Sequence, residues 1–504
     1  MSDGHALELD GRTLSLKALQ AWERDPGEVR LADAARERMS ESAATVARVI
    51  DEEKTSYGIN TGFGALARER ISRDQVVQLQ YNLVRSHSCG VGAPLGRRET
   101  RRLMLLKANS LAVGCSGIRP QTVEALLALL NADVLPVIPE RGSVGASGDL
   151  APLAHLALAL IGEGEAIQED KRLEGTEVTA AAGLEPVVLQ AKEGLALLNG
   201  TQLSAVLALE GLFRLERLWQ ASIAAGALSV DGIAGSYSPF DARIHAVRGM
   251  EGQVKAAEAL RRWLTESSIR DSHRNCGRVQ DPYALRCMPQ VFGAVRDTLD
   301  HARRILAQDL NGVSDNPLVF DEDILSGGNF HAEAIGMVAD QMAIAGAELG
   351  SISERRTDCL LRGVNPDLPL FLASKPGLES GYMMAHVTAA ALASENKSLA
   401  HPATVDSIPT SAGQEDHVSM APTAGLQLLQ LTDNLARILA VELLAAARAV
   451  ELQAPLETTP ELQRLLAWIR EQVPARDGDH RLDRDIETLG TALEGLPGAN
   501  GVSD

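Results

Sequence analysis

Residues 142–155 read GSVGASGDLAPLAH. Three glycines and two serines fill the first seven positions, and an Ala/Leu-rich run continues to Gly162. Glycine permits backbone angles that other residues resist. Asp149 stands where a helix N-cap belongs, and Pro152 falls within the first turn that would follow. The stretch therefore predicts a sharply bent loop that feeds a buried helix.

The loop's chemistry separates it from other glycine-rich motifs. A nucleophile elbow needs glycine where Asp149 stands, and a P-loop needs a G-K-[ST] sequence that is absent. A bare Ala-Ser-Gly is usually a turn that opens a helix. Here Gly148 has no side chain to shield its own amide nitrogen, which can approach the Ala146 carbonyl carbon. Ring closure with loss of water, and dehydration of Ser147, would give a 4-methylidene-imidazol-5-one (MIO). Side chains supply nucleophiles, acids and bases, but no strong electrophile. This group would be one, made from the chain itself.

Outward from the loop, the composition favours helices. Hydrophobic residues make up 45% of the 504, but aromatics only 3%, so a core must be built from Ala, Leu, Val and Ile. Residues 30–53 have helical spacing, and the first 30 read as a strand-and-turn entry. Residues 191–230 form one nearly continuous helical pattern. Further long amphipathic patterns lie within 289–310, 332–356 and 420–452, joined by loops marked with Gly, Pro and polar residues. The expected organisation is an N-terminal region over 1–190, a central bundle of long helices over 191–470, and a C-terminal helix and tail over 471–504. The fold class is mainly α, with a smaller mixed N-terminal region.

A net charge of −19 argues against general binding to nucleic acid or anionic membrane. Cys89, Cys115, Cys276, Cys287 and Cys359 are odd in number, scattered and free of CxxC pairs. That pattern predicts neither a disulfide framework nor a structural zinc site, and suits a cytoplasmic protein. No apolar run has the length of a membrane span, no signal peptide is evident, and no metal-ligand spacing is found.

The string GSVGASGDLAPLAH resembles, position by position, the signature of the aromatic amino acid ammonia-lyase family. The resemblance extends over essentially the whole chain, through TSYGINTGFG (55–64), LLNGTQ (197–202), VQDPYALRC (279–287), SDNPLVF (314–320), GGNFHAE (327–333) and QEDHVSM (414–420). It implies an ammonia-lyase/fumarase-like helical architecture. It implies an MIO group formed from Ala146, Ser147 and Gly148, and a catalytic base at Tyr57, with Tyr283 helping to position it. Asn199 and Gln280 would hold the imidazolone oxygen or the substrate carboxylate, and Asn316 comes with the same loops. Arg286 would grip that carboxylate through a two-pronged pair. Phe330 would pack around the ring. The resemblance also implies a homotetramer with active sites assembled from several subunits, and no metal.

Two places bear on the substrate. Ser86-His87 matches the family's histidine-selective members, where phenylalanine- and tyrosine-selective members tend to carry Phe-Leu and His-Leu. Glu415 suits an imidazole N–H and gives a phenyl ring nothing. The expected reaction is non-oxidative deamination of L-histidine to urocanate and ammonia, the first step of histidine breakdown. Arg85, Met288 and His386 depart from the pattern. They leave open a 2,3-aminomutase, or a tyrosine or phenylalanine ammonia-lyase. An inactive helical scaffold predicts decay at the reactive positions, which are all present. The fumarase/aspartase group needs a GSSxMPxKxN loop that is missing.

Overall fold

The computed structural model describes residues 6–52, 54–56, 58–62, 64–66, 68–273 and 277–497. Nineteen α-helices and four small sheets occur among them. The mainly helical expectation therefore holds. No helix among the described residues is long and apolar enough to cross a membrane.

The chain forms two compact units, each built from separated segments. The first comprises Met1–Glu210, Arg304–Val338 and Ala403–Leu426; the second comprises Gly211–Arg303, Ala339–Pro402 and Gln427–Asp504. The first holds all the sheets. Leu7–Leu9 pairs in parallel with Val29–Leu31, Val91–Pro94 runs antiparallel to Pro139–Arg141, and Leu135–Pro136, Glu165–Gln168 and Lys171–Glu174 make a three-stranded sheet. The opening thirty residues also hold a helix, Leu16–Arg24, in place of a plain turn. Ser15 Oγ caps it by accepting from Ala18 N, and Leu16, Leu19 and Trp22 bury one face.

Two of the helices in the first unit's interior position the site. Leu150–Leu160 (LAPLAHLALAL) contains no charged residue and no β-branched residue, and is buried on nearly every side. Arg97–Ala112 is buried from Leu103 to Ala112 and carries Lys107 and Asn109 into the core. Buried polar groups need partners. Asn109 Nδ2 donates to the Leu310 carbonyl at 2.8 Å, and Lys107 Nζ to the Asn199 carbonyl at 2.6 Å.

The pattern over 191–230 is interrupted. Glu193–Leu198 is one helix and Gln202–Gly232 another. Between them Asn199 is extended and Gly200 has φ +147°. A helix cannot continue through that angle, and the break is where the chain meets the glycine-rich loop.

The second unit's core holds a buried ion-pair cluster. Arg356 and Glu442 are fully buried and pair bidentately at 2.6 and 2.7 Å, and Ser229 and Ser353 donate to the same carboxylate at 2.7 and 2.6 Å. Each carboxylate oxygen thereby receives two donors, which offsets the desolvation of the charge.

Candidate active site

The loop 142–149 is bent by its glycines and bolted at several points. Gly145 has φ +66° and Gly148 φ +74°. A Cβ on Gly148 would lie 2.2 Å from the Gly200 carbonyl oxygen, so only glycine fits against that backbone. Gly148 and Gly200 form a parallel bridge, and Asp149 N donates to the Gly200 carbonyl at 2.7 Å. On the other side Ser419 Oγ donates to the Gly145 carbonyl at 3.0 Å, and Met420 N to Val144 at 2.9 Å. Ala146 packs against Val418 and Met420.

Asp149 occupies the N-cap position of the following helix, yet its side chain does not cap it. Its carboxylate accepts instead from Ser204 N (2.8 Å), Ser204 Oγ (3.0 Å) and Ser143 Oγ (2.9 Å). It thus ties the loop to the start of helix Gln202–Gly232. Burial pushes its carboxyl above the usual carboxylate range, against those hydrogen bonds.

Ser147 is held at both polar ends. Its carbonyl accepts from Asn199 Nδ2 at 2.7 Å, and its hydroxyl donates to Glu415 Oε1 at 2.9 Å. Thr410 Oγ1 donates to Glu415 Oε2 at 2.5 Å and fixes the carboxylate. Asn199 Oδ1 is buried and accepts no hydrogen bond. Lys107 holds Asn199 from below. Burial pulls its amine down to about 7, partly countered by Asp315, while the nearby Lys192 lowers it further. Lys192 Nζ in turn pairs with Asp315 Oδ2 at 2.7 Å, both buried.

These groups face a cavity of about 910 Å³. Ala146, Ser147, Asn199, Ser86, His87, Phe330, Glu415 and Asn316 all line it. Helix Val76–His87 contributes Leu79, Asn82, Leu83, Ser86 and His87, the spacing of one helical face. His87 Nδ1 lies 2.8 Å from the Leu83 carbonyl, which only accepts, so Nδ1 carries a proton. Burial lowers the His87 pKa, opposed by that hydrogen bond and by the Glu415 charge. The ring is therefore neutral near pH 7, and Nε2 is left as an acceptor.

Not every expected residue is among those lining the cavity. Tyr57 and Cys276 are outside the described residues, although Gly62 and Gly64 of the same stretch line the cavity. Gln280, Tyr283 and Arg286 belong to the second unit and are not among the lining residues. Tyr283 is 70% exposed, with the Arg286 guanidinium 4.7 Å over its ring. Of the residues that depart from the pattern, Arg85 is turned to a pair with Glu163 (2.6 and 2.7 Å). Met288 is fully buried in the second unit, and His386 Nε2 lies 2.7 Å from Glu354 Oε1. Sequence reasoning missed Lys107, because a lone lysine in an apolar helix carries no motif. It also missed Leu79, Asn82 and Leu83, which three- and four-residue spacing from Ser86-His87 signals.

The ring-forming group fits these residues. A donor already points at the Ser147 carbonyl, an acceptor takes the Ser147 hydroxyl, and the Gly148 backbone sits where no side chain is tolerated. A helical fold with this loop at a cavity defines a class of carbon–nitrogen lyases and aminomutases. The profile described as aromatic amino acid lyase matches residues 14–471. The chain belongs to that family. It is 55% identical over 453 residues to the histidine ammonia-lyase of Aromatoleum aromaticum, covering 90% of this chain and 86% of the relative. Among solved structures it is similar to the histidine ammonia-lyase of Trypanosoma cruzi (TM-score 0.89, 39% identity, 97% of this chain and 94% of that one). It is also similar to the tyrosine aminomutase of Streptomyces globisporus (TM-score 0.91, 35% identity, 97% of each chain).

Proposed function

We propose that the chain is a histidine ammonia-lyase, converting L-histidine to trans-urocanate and ammonia. The observation that carries this reading is the meeting of His87 and Glu415 with Ala146-Ser147 in one cavity. His87 Nε2 accepts from a substrate imidazole N–H, and the Glu415 carboxylate accepts from the other nitrogen when it is protonated. A phenyl ring offers neither contact, and a phenol offers a single O–H in place of two ring nitrogens.

An MIO formed from Ala146, Ser147 and Gly148 would supply an electrophile for the substrate α-amino group and so make that group easier to expel. Asn199 holds the carbonyl oxygen of Ser147 with its amide N–H, which favours negative charge there. Glu415 accepts the proton-bearing hydroxyl of Ser147 before that hydroxyl departs. Tyr57 takes the β-proton as general base. Gln280, Tyr283 and Arg286 serve a cavity in the assembled homotetramer, where Arg286 pairs with the substrate carboxylate. In support, Val279, Tyr283, Met384 and Val387 are exposed apolar residues of the second unit that association would cover.

The test offers L-His, L-Tyr and L-Phe to the purified protein and resolves products against β-amino acid standards. Urocanate from L-His alone is the expected result, and accumulation of β-histidine establishes an aminomutase instead. Intact mass lower than the encoded chain by two waters is expected, and Ser147→Ala should restore full mass and abolish turnover. Turnover by that variant would refute the mechanism.

A further inference from the structure

Beside Glu415, the fold gathers a second group of side chains that the reaction above does not use. His331 and Glu333 stand at the start of helix Glu333–Leu361, and His417 follows the segment that carries Glu415. One ligand atom from each of the three lies within 4.8 Å of the others. The two imidazoles are stacked nearly parallel, with centroids 5.6 Å apart and planes 7° from one another.

The hydrogen bonding selects one tautomer of His331. Its Nε2 is 3.2 Å from the His417 carbonyl oxygen, which only accepts, so Nε2 bears the proton. In the neutral ring the lone pair is then on Nδ1, and Nδ1 lies 3.8 Å from Glu333 Oε2. That oxygen is buried and accepts no hydrogen bond. A buried carboxylate oxygen facing an imidazole lone pair is stabilised by a proton or by a cation shared between them. An imidazole that donates its other N–H to a backbone carbonyl has the arrangement usual for metal-ligating histidines.

We propose that His331, Glu333 and His417 form a site for a divalent transition metal of the zinc class, and that its occupation slows turnover. Two imidazoles and one carboxylate suit Zn²⁺ or Co²⁺, whereas Ca²⁺ and Mg²⁺ prefer all-oxygen sets. Metal–ligand bonds of about 2.0–2.2 Å place tetrahedral ligand atoms roughly 3.4 Å apart. The three must therefore draw in by about 1 Å, which rotation of the exposed His417 ring provides. His417 also lines the cavity beside Asp416 and Glu415. Drawing its ring toward His331 pulls on the backbone that positions Glu415, and the link to turnover runs through that segment. Binding itself does not depend on which amino acid is the substrate.

The test uses the full-length protein freed of metal by a chelator and then dialysed. Titration with Co²⁺ should develop the intense visible bands of a four-coordinate N/O site, saturating at one ion per chain. His331→Gln should lower Co²⁺ affinity at least about 100-fold, because it removes a direct ligand rather than a supporting group, whose loss costs about 10–100-fold. Its melting temperature and metal-free turnover should match the parent, since His331 lines neither cavity nor core. Zn²⁺ should slow the parent and leave His331→Gln unaffected, and Glu333→Gln should repeat that result. Equal cobalt spectra in parent and variants, or no binding in the parent, overturns the site. Equal zinc sensitivity of turnover in parent and His331→Gln overturns the link to the cavity.

Discussion

Lys107→Met separates the stability of the fold from the setting of the site. The lysine is fully buried, and its ammonium donates to the Asn199 carbonyl at 2.6 Å, one residue's width from the amide that holds Ser147. A charge-assisted hydrogen bond of this kind contributes about 1.5–3 kcal/mol. Opposing it, burial drops the amine from 10.5 to about 7. At about 1.4 kcal/mol per pKa unit, keeping the ammonium charged in the folded protein costs roughly 5 kcal/mol. The second figure is larger, so an apolar side chain of similar length should not weaken the fold at pH 6–7 and should strengthen it by a few kcal/mol. The unanchored Asn199 backbone no longer fixes the donor on Ser147, and turnover should fall about 10–100-fold, the rate equivalent of the lost bond. The pH dependence has a definite sign. Below pH 7 both folded and unfolded chains carry the proton. Between pH 7 and 10.5 only the unfolded chain does, so this group makes parent stability rise with pH across that window. The variant should lack the rise. Denaturant unfolding at pH 6, 8 and 9.5, beside intact mass and urocanate formation, reads all three effects. A variant less stable than the parent at pH 6, or one with full turnover, would refute the reasoning.

Two further substitutions probe the backbone and the second unit. Gly148→Ala places a Cβ 2.2 Å from the Gly200 carbonyl oxygen at a φ of +74°, so the two segments must separate by more than 1 Å. Left-handed strain of about 1–2 kcal/mol, and loss of the 2.7 Å bond from Asp149 N, should destabilise the protein by about 2–4 kcal/mol. The variant should keep its full encoded mass; loss of two waters would show that the loop tolerates a side chain there. Glu442→Ala leaves Arg356 charged and unpaired in the second unit's core and should cost about 3–5 kcal/mol in chemical denaturation. Pairing it with Arg356→Met should recover most of that loss, and failure to recover would mean the two residues act separately.

The sequence by itself determined the glycine-rich loop and the helical class. Ala146-Ser147-Gly148 and its glycines are contiguous, so their chemistry is local and readable from order alone. The same holds for Leu150–Leu160, whose composition admits little but a buried helix. Ser86-His87 and Glu415 were legible through their motifs, although nothing in the chain order says that they share a cavity with Ser147. The tertiary structure alone decided the rest. It broke the 191–230 pattern at Asn199-Gly200, because backbone packing against Gly148 outweighs helix propensity there. It turned Asp149 from its own helix to Ser204, placed Lys107 beneath Asn199, and brought His417 beside His331 across 86 residues. Each of these is a long-range contact between groups whose types are unremarkable where they stand in the chain. Their meaning comes from desolvation and from the partner opposite, and both exist only once the chain has folded.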